Sequence, residues 1–417
     1  MTNPKFQNVR GTKDLFGEEI LRFNQIVEIA KRRSLQFRFE ELQTPIFEFS
    51  DVFERNLGET SDIVSKEVYK FLDRGENYLT LRPEFTASIV RSLISNGEMG
   101  QVFPKKFFSY GPVFRYDRPQ AGRQRQFNQI NFEVFGEDNF YLDVDIILLA
   151  TAILKDLKIL DKVSLQINSL GCEETKAKYE IALKEFLQEF KDDLSEDSKA
   201  RLEKNPLRIL DSKDRGDKKL LTNAPEISSF YSEEAKENFD NILKTLEKFG
   251  VKYVVNSRLV RGLDYYTSNV FEFVTTDDKA QNTVLAGGRY DNLVAKMGGK
   301  DVPAIGFAAG IERLMLLSDT VADKVRPIYV NYISPNEKSY AFEITQMLRN
   351  AGFEVEFCFN ANLKKQLKRA TQNDARFVII IGEDEAKSDE LLVKDFDSSN
   401  EQKVKKEFLL HYLEGKV

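Results

Sequence analysis

The sequence predicts an α+β protein in three parts: a mixed strand and helix core over residues 1–325, a helical insertion inside it at 173–250, and a C-terminal α/β domain over 326–417. Three features of the chain carry that prediction. Gly111 to Gly136 reads as apolar strand, basic loop, apolar strand. From about Glu173 to Gly250 the chain turns dense in Lys, Glu and Asp, with helical periodicity and no strong strand. From Ile328 onward, strand and helix signals alternate at the spacing of a small α/β domain.

The elements follow in chain order. Residues 17–36 space Leu21, Ile26, Ile29 and Ala30 as one helix face. A strand-like stretch ends in LQTPIFE, where Pro45 cannot donate to a ladder and so marks an edge or interface strand. Val68 to Leu81 reads as a hairpin turning at Asp73 to Asn77. Arg82-Pro83-Glu84 opens a helix from Phe85 to Ser95, with Pro83 in its first turn. Strands are expected at 107–114, 127–135 and Val163–Asn168, with a helix from Asp143 to Leu157. After the insertion, strand signals resume at Val251 and recur at Val270–Val274 and Thr283–Ala286. Ile305 to Leu317 reads as a buried helix that starts on small residues. In the last domain, strands are expected at Ile328–Ile333, Phe353–Phe359, Phe377–Ile381 and Leu391–Phe396. Helices are expected at Glu337–Asn350, Leu363–Gln372 and, closing the chain, Val404–Tyr412.

Composition narrows the function. The net charge of -6 gives no bulk attraction to nucleic acid, so such a partner needs local basic surfaces. No apolar run approaches membrane-spanning length, and Met1 to Ile20 lacks the apolar core of a signal peptide. Cys172 and Cys358 form no CxxC pair, which argues against zinc and disulfides and favours a cytoplasmic location. The one histidine, His411, sits in a helical stretch suited to packing or to surface. Chemistry must therefore rest on Arg, Glu, Gln, Tyr or metal ions rather than on His-based triads.

Gly111 to Gly136 is the richest segment. Its loop carries Arg115, Arg118, Arg123 and Arg125, and its return strand carries Gln129 and Glu133. Even spacing puts Gln129 and Glu133 on one face. Guanidinium groups suit phosphates, because a planar fork binds two oxygens and stays charged. Such a run also suits a solvated surface. Four other segments fit the same site. LRPEFT places Glu84 at a strand-to-helix junction, where dipole stabilisation alone would also favour an acid. LVRGLDYYTSNVFE gathers Arg261, Gly262, Asp264, Tyr265 and Tyr266, and Gly262 allows close approach or positive φ. LAGGRYD sets a double glycine after a strand, as a turn or as a ligand seat. AIGFAAGIERL leaves room for a flat ring over its backbone, or for a close-packed helix start, with Arg313 following. There is no GxxxxGK[ST] and no strand-linked GxGxxG, so any nucleotide must be held by side-chain arginines.

Together these segments resemble the class II aminoacyl-tRNA synthetases, and more closely the histidyl-tRNA synthetase family, over nearly the whole chain. LQTPIFE resembles the dimer motif, FRYDRPQAGRQRQFNQINFEVFG the second class motif and GFAAGIERL the third. LVRGLDYYTSNVFE and LAGGRYD resemble the two signatures of the histidine enzymes. The resemblance implies an antiparallel sheet carrying the site, an anticodon-binding C-terminal domain and a homodimer. It implies ATP with Mg²⁺, histidine and tRNA(His) as ligands. Arg115, Arg123 and Arg313 would bind ATP, with Arg115, Arg261 and Gln129 at the reacting centre. Glu84, Thr86 and Gln129 would hold the substrate's ammonium and carboxylate ends, with Arg261 bridging carboxylate and α-phosphate. Glu133, Tyr265, Tyr266 and Tyr290 would form the imidazole pocket, and Arg118, Gln120 and Arg125 would meet the tRNA acceptor end. Asn128 departs from the family's usual histidine, and its side chain should point away from the Gln129 face. The rival reading is a non-enzymatic, synthetase-like regulatory subunit of ATP phosphoribosyltransferase.

Overall fold

The computed structural model describes residues 6–54, 67–276, 283–320, 325–359 and 362–416. Residues 1–5, where the stretch read for a signal peptide begins, lie outside them. The chain divides into two compact units, Met1–Val321 and Ala322–Val417.

The first unit opens with α1, Glu18–Gln36, which buries Ile26, Val27, Ile29 and Ala30 on one face. β1 is only Glu40–Glu41, and β2 is Phe47–Phe49, followed by the one-turn α2, Asp51–Glu54. Pro45 lies between β1 and β2 and belongs to neither, so it breaks the strand rather than edging it. β3, Tyr69–Leu72, and β4, Tyr78–Leu81, form the expected hairpin, and β2 joins it in the order β2-β4-β3. Its turn is closed by Asp73, whose carboxylate accepts from Gly75 N–H at 2.8 Å and Asn77 N–H at 2.9 Å. α3 spans Thr86–Ser95, and Pro83 precedes its first turn. Glu84 does the capping there, as the site geometry below shows.

β5, Lys105–Phe114, and β6, Gln126–Phe135, are ten residues each and pair antiparallel along their full length. α4, Phe140–Asp156, and β7, Val163–Ser169, lead into the insertion. Among its described residues the insertion is helical: α5 Glu173–Glu189, α6 Glu196–Lys204, α7 Arg215–Leu220 and α8 Glu233–Lys248, joined by 3-10 turns. β8, Tyr253–Val255, returns to the core, followed by β9, Asn269–Thr275, and β10, Thr283–Arg289. α9 is Leu293–Lys296, β11 is Ala304–Gly310 and α10 is Ile311–Leu317.

These strands build one eight-stranded sheet in the order β1-β5-β6-β11-β10-β9-β7-β8. All pairs are antiparallel except the outermost two, β1 with β5 and β7 with β8. Alternation along β6 turns Ile130, Phe132 and Val134 into the core beneath, where α1 and α4 pack. Phe132 meets Phe108 at 4.8 Å and Phe307 at 4.9 Å between ring centroids. Each such buried ring contributes roughly 1.5–3 kcal/mol. The opposite face of β6 carries Gln129, Asn131 and Glu133.

Two more expectations fail in this sheet. Ile305 to Leu317 is not one helix, because Ala304–Gly310 is strand β11, hydrogen-bonded to both β6 and β10. A strand inside a sheet can carry an apolar run that periodicity alone does not separate from a buried helix. Gly287 and Gly288 lie inside β10 rather than after it. A Cβ on Gly287 would stand 2.2 Å from the Gly306 carbonyl oxygen, so the glycine serves close strand approach.

The second unit contains β12 Ile328–Tyr332, α11 Lys338–Asn350, β13 Val355–Phe357, α12 Leu363–Gln372 and β14 Phe377–Ile381. α13 Glu383–Ser388, β15 Glu390–Asp395, β16 Glu401–Lys405 and α14 Leu409–Leu413 complete it. The sheet order is β13-β12-β14-β15-β16, with the first three strands parallel and the last two antiparallel additions. The closing helix is therefore shorter than expected. Val404 is a strand residue opposite Leu391, and the helix starts only at Leu409. Among the described residues no helix is long and apolar enough to cross a membrane.

Candidate active site

A solvent-open cleft, about 1100 Å³ with the space at its mouth included, lies on the sheet face that β6 leaves polar. The two-residue period of β6 delivers Gln129, Asn131 and Glu133 to it in a row. On the neighbouring strand β11, Gly306 pairs with Glu133 and Gly310 with Gln129. A Cβ on Gly306 would fall 1.6 Å from Glu133 Oε2. Glycine is thus a condition for the carboxyl group to lie where it does.

Glu133 is held from three sides. Thr86 Oγ1 donates to Oε1 at 2.5 Å, Asn131 Nδ2 donates to the same oxygen at 2.9 Å, and the Tyr290 hydroxyl donates to Oε2. All three are donors, so the site is shaped for the carboxylate. Burial opposes them and raises its pKa to about 7. A carboxylate offers about four acceptor positions, so one stays available for a ligand N–H. Tyr265, Tyr266 and Tyr290 wall this end, with centroids 4.7 Å apart for the first two and 5.4 Å for Tyr265 and Tyr290. Burial pushes the Tyr265 and Tyr290 phenols well above their ordinary range, so they act as neutral hydroxyls.

Glu84 caps α3. Its carboxylate accepts from Thr86 N–H at 2.6 Å and Ala87 N–H at 2.8 Å while lining the cleft. Burial raises its pKa, against the pull of those hydrogen bonds.

Arginines take the other end. Arg115 donates Nε to the Pro83 carbonyl at 2.9 Å and faces the Phe127 ring at 5.3 Å. Arg123 pairs with Asp117 at 2.7 Å. Arg313, on the first turns of α10, donates to the Gly122 carbonyl at 3.1 Å and to the Thr283 carbonyl. Burial first, then repulsion from Arg115 and Arg123, lowers the Arg313 pKa to about 10. Burial also lowers that of Arg115. Three guanidinium groups crowded at one end define a place for a polyanion. Arg261 enters from the loop before β9, paired with Glu272 and with its guanidinium 5.6 Å from the Tyr266 ring. Gly262 beside it does not adopt positive φ. Gln129 Oε1, Asn131 Oδ1 and Arg261 Nε are buried without a hydrogen-bond partner, which suits groups awaiting a ligand.

The cleft therefore gathers Glu84, Thr86, Arg115, Arg123, Gln129 and Glu133 with Arg261, Tyr265, Tyr266, Tyr290 and Arg313. Arg118, Gln120 and Arg125 are not among its lining residues. Arg118 and Gln120 are exposed at the loop tip, and Arg125 stacks on Tyr116 at 4.0 Å. Asn128 points away as expected, with its N–H and its side-chain amide both donating to Glu312 at 2.8–3.0 Å. His411 is exposed on α14, 3.7 Å from Glu414. Asn131, Glu272 and Glu312 were not singled out from sequence. The period of β6 could have found Asn131. Glu272 closes the quoted arginine–tyrosine segment, but no local signal ties Glu312 to a residue 184 positions away. Among the described residues no group of three His, Cys, Asp or Glu side chains could hold a metal ion.

Comparison with known proteins agrees with this geometry. Residues 11–314 match the family model of histidyl-tRNA synthetase, and residues 327–416 match the anticodon binding domain. The chain is 50% identical to the histidine–tRNA ligase of Wolbachia pipientis subsp. Culex pipiens, covering 97% of this chain and 98% of that protein. It is 47% identical to that of Orientia tsutsugamushi strain Boryong, with 99% of each covered. Among solved structures, apo histidyl-tRNA synthetase from S. aureus superposes with a TM-score of 0.83 at 29% identity, covering 98% of this chain and 99% of that one. The matches run along nearly the full length, with the synthetase model followed by the anticodon binding domain, and the chain belongs to the histidyl-tRNA synthetase family.

Proposed function

We propose that this chain ligates histidine to tRNA(His) in two steps. A histidine carboxylate oxygen attacks the α-phosphorus of ATP, and pyrophosphate leaves. The terminal ribose hydroxyl of the tRNA then attacks the carbonyl of histidyl-adenylate, and AMP leaves. The observation that carries this reading is the pairing of ends in one cleft: a buried carboxyl with an open acceptor position at one, three mutually repelling arginines at the other. The first suits an imidazole N–H. The second suits a triphosphate.

In this reading Glu133, Tyr266 and Tyr290, with Tyr265 behind them, select the imidazole. Glu84, Thr86 and Gln129 orient the ammonium and carboxylate ends. Arg261 bridges carboxylate and α-phosphate, and Arg115 stabilises charge as pyrophosphate departs. Arg313 and Arg123 hold the γ-phosphate, with Mg²⁺ entering as ATP's counter-ion. Ala308 and Gly310, farther along the cleft floor, leave room for the adenine. Arg118, Gln120 and Arg125 meet the acceptor end of the tRNA, and the domain at 326–417 reads the anticodon.

A homodimer in the cytoplasm completes the reading. Support for a second copy comes from the β2-β4-β3 sheet, where Phe47, Phe49 and Tyr78 are 54%, 61% and 55% exposed. The regulatory-subunit alternative is not favoured, because the relatives matched at 47% and 50% identity are ligases over nearly their full length. Amino-acid-dependent ATP–pyrophosphate exchange tests the activity. Histidine alone among the twenty should support strong exchange. Strong exchange with proline, threonine or glycine and none with histidine would overturn the assignment.

A further inference from the structure

The insertion reaches the cleft through one loop. Residues 260–266 belong to no helix or strand. The loop's flanks are fixed by backbone hydrogen bonds of 2.9 Å, Leu259 N–H to the Asn256 carbonyl and Thr267 N–H to the Arg289 carbonyl. Between those points it carries Arg261, Tyr265 and Tyr266 to the cleft. Two side chains of the insertion grip it there. Arg208, buried in the 3-10 segment Pro206–Asp211, donates from Nη1 to the Arg261 carbonyl at 3.0 Å. Asn205 donates from Nδ2 to Asp264 Oδ1 at 3.1 Å. The Arg208 guanidinium lies against the loop backbone, since a Cβ on Gly262 would stand 3.4 Å from Nη1. A small gap opens beside these contacts, bordered by Leu170, Lys176, Leu207 and Leu263. Tyr265, Tyr266 and Leu263 pack in one apolar cluster with Leu207 of the insertion, and the two polar grips tie the loop at Arg261 and Asp264.

We propose that Arg208 and Asn205 are positioning residues for adenylate formation. They place the Arg261 guanidinium by holding the carbonyl of its own residue and a carboxylate three residues on. The proposal rests on the role of Arg261 given above. It follows that the insertion governs the rate of the chemical step more than the affinity for ATP. A shift of the insertion relocates the cation that bridges the substrate carboxylate and the α-phosphate.

The test uses the full-length protein in pyrophosphate exchange and in single-turnover adenylate formation. Arg208→Ala should lower the single-turnover rate constant by roughly 10²-fold, the cost of a catalytic group displaced by about 1 Å, with little change in KM for ATP. Arg208→Lys should recover part of the rate, because an ammonium can still reach the carbonyl. Asn205→Ala should give a smaller loss of the same kind, and it removes no buried charge, so it remains informative if Arg208→Ala does not fold. In an Arg261→Ala background, either substitution should add no further loss, because nothing remains to be positioned. An unchanged rate constant in both single variants overturns the proposal, as do losses that multiply fully with Arg261→Ala. If Arg261→Ala lowers the rate and the insertion variants do not, only this proposal falls. If Arg261→Ala itself leaves the rate intact, the assigned role of Arg261 falls with it.

Discussion

Glu133 shows how one residue can be tuned by its neighbours in opposite directions. Burial disfavours its charge, while Thr86, Asn131 and Tyr290 all donate to it, leaving a pKa of about 7. The consequence for stability has a definite sign. A carboxyl whose pKa is raised in the fold is protonated more readily folded than unfolded. Its stabilising contribution is complete below the unfolded value of about 4.3 and is lost as pH rises toward 7. Histidine binding runs the other way, since the N–H of an imidazole is best accepted by the ionised form. The acid limb of kcat/KM for histidine should therefore show an inflection near pH 7, read from exchange rates across the pH range. Glu133→Gln should lower kcat/KM by roughly 2–3 kcal/mol in transition-state terms and abolish that limb. Any limb due to the substrate's own imidazole would survive the substitution, and an unaltered profile would remove Glu133 from recognition.

At the scale of elements, the insertion has its own polar knot. Asp217 on α7 accepts from Ser195 N–H at 2.9 Å and from the hydroxyls of Ser195, Ser198 and Ser212 at 2.5–2.7 Å. Those hydrogen bonds outweigh its burial and bring its pKa to about 2. Asp217→Ala leaves three hydroxyls and an amide without their acceptor. It should destabilise the protein by about 2–4 kcal/mol, seen as a lower thermal midpoint. Much at this scale was legible in the sequence. The β3-β4 hairpin was readable from its turn residues, β5 and β6 from their apolar runs, and α12 from end to end. Glu84, Gln129 and Glu133 were readable because strand period and a helix start act locally. β11 was misread, since a strand buried between two others can carry an apolar run with no clear period. Val404 was misread because only its pairing with Leu391 makes it a strand residue. The Asn128–Glu312 and Arg208–Arg261 contacts join distant parts of the chain, and no local pattern encodes them.

For the whole molecule, the division of labour between its two units is the testable property. The residues assigned to the cleft all precede Val321, where the first unit ends. The second unit exposes Lys364, Lys365, Lys368 and Arg369 on α12, with Arg369 also pairing with Glu356 at 2.5 Å. A basic helix face offers phosphate contacts even in a chain of net charge -6. Removing residues 326–417 should cut tRNA charging steeply and spare histidine-dependent exchange, in a core verified as folded. Full-rate charging by such a core would take tRNA reading away from the second unit.

The glycine opposite Glu133 limits how this pocket can change its preference over generations of substitution. Any side chain at Gly306 collides with the carboxylate and with the Phe132 carbonyl, 2.4 Å from where a Cβ would stand, so the floor cannot be raised without evicting the anchor. Thr86, Asn131 and Tyr290 meet the carboxylate through side-chain atoms alone. Drift toward another amino acid would then proceed through the walls, one donor at a time, while the floor stays frozen.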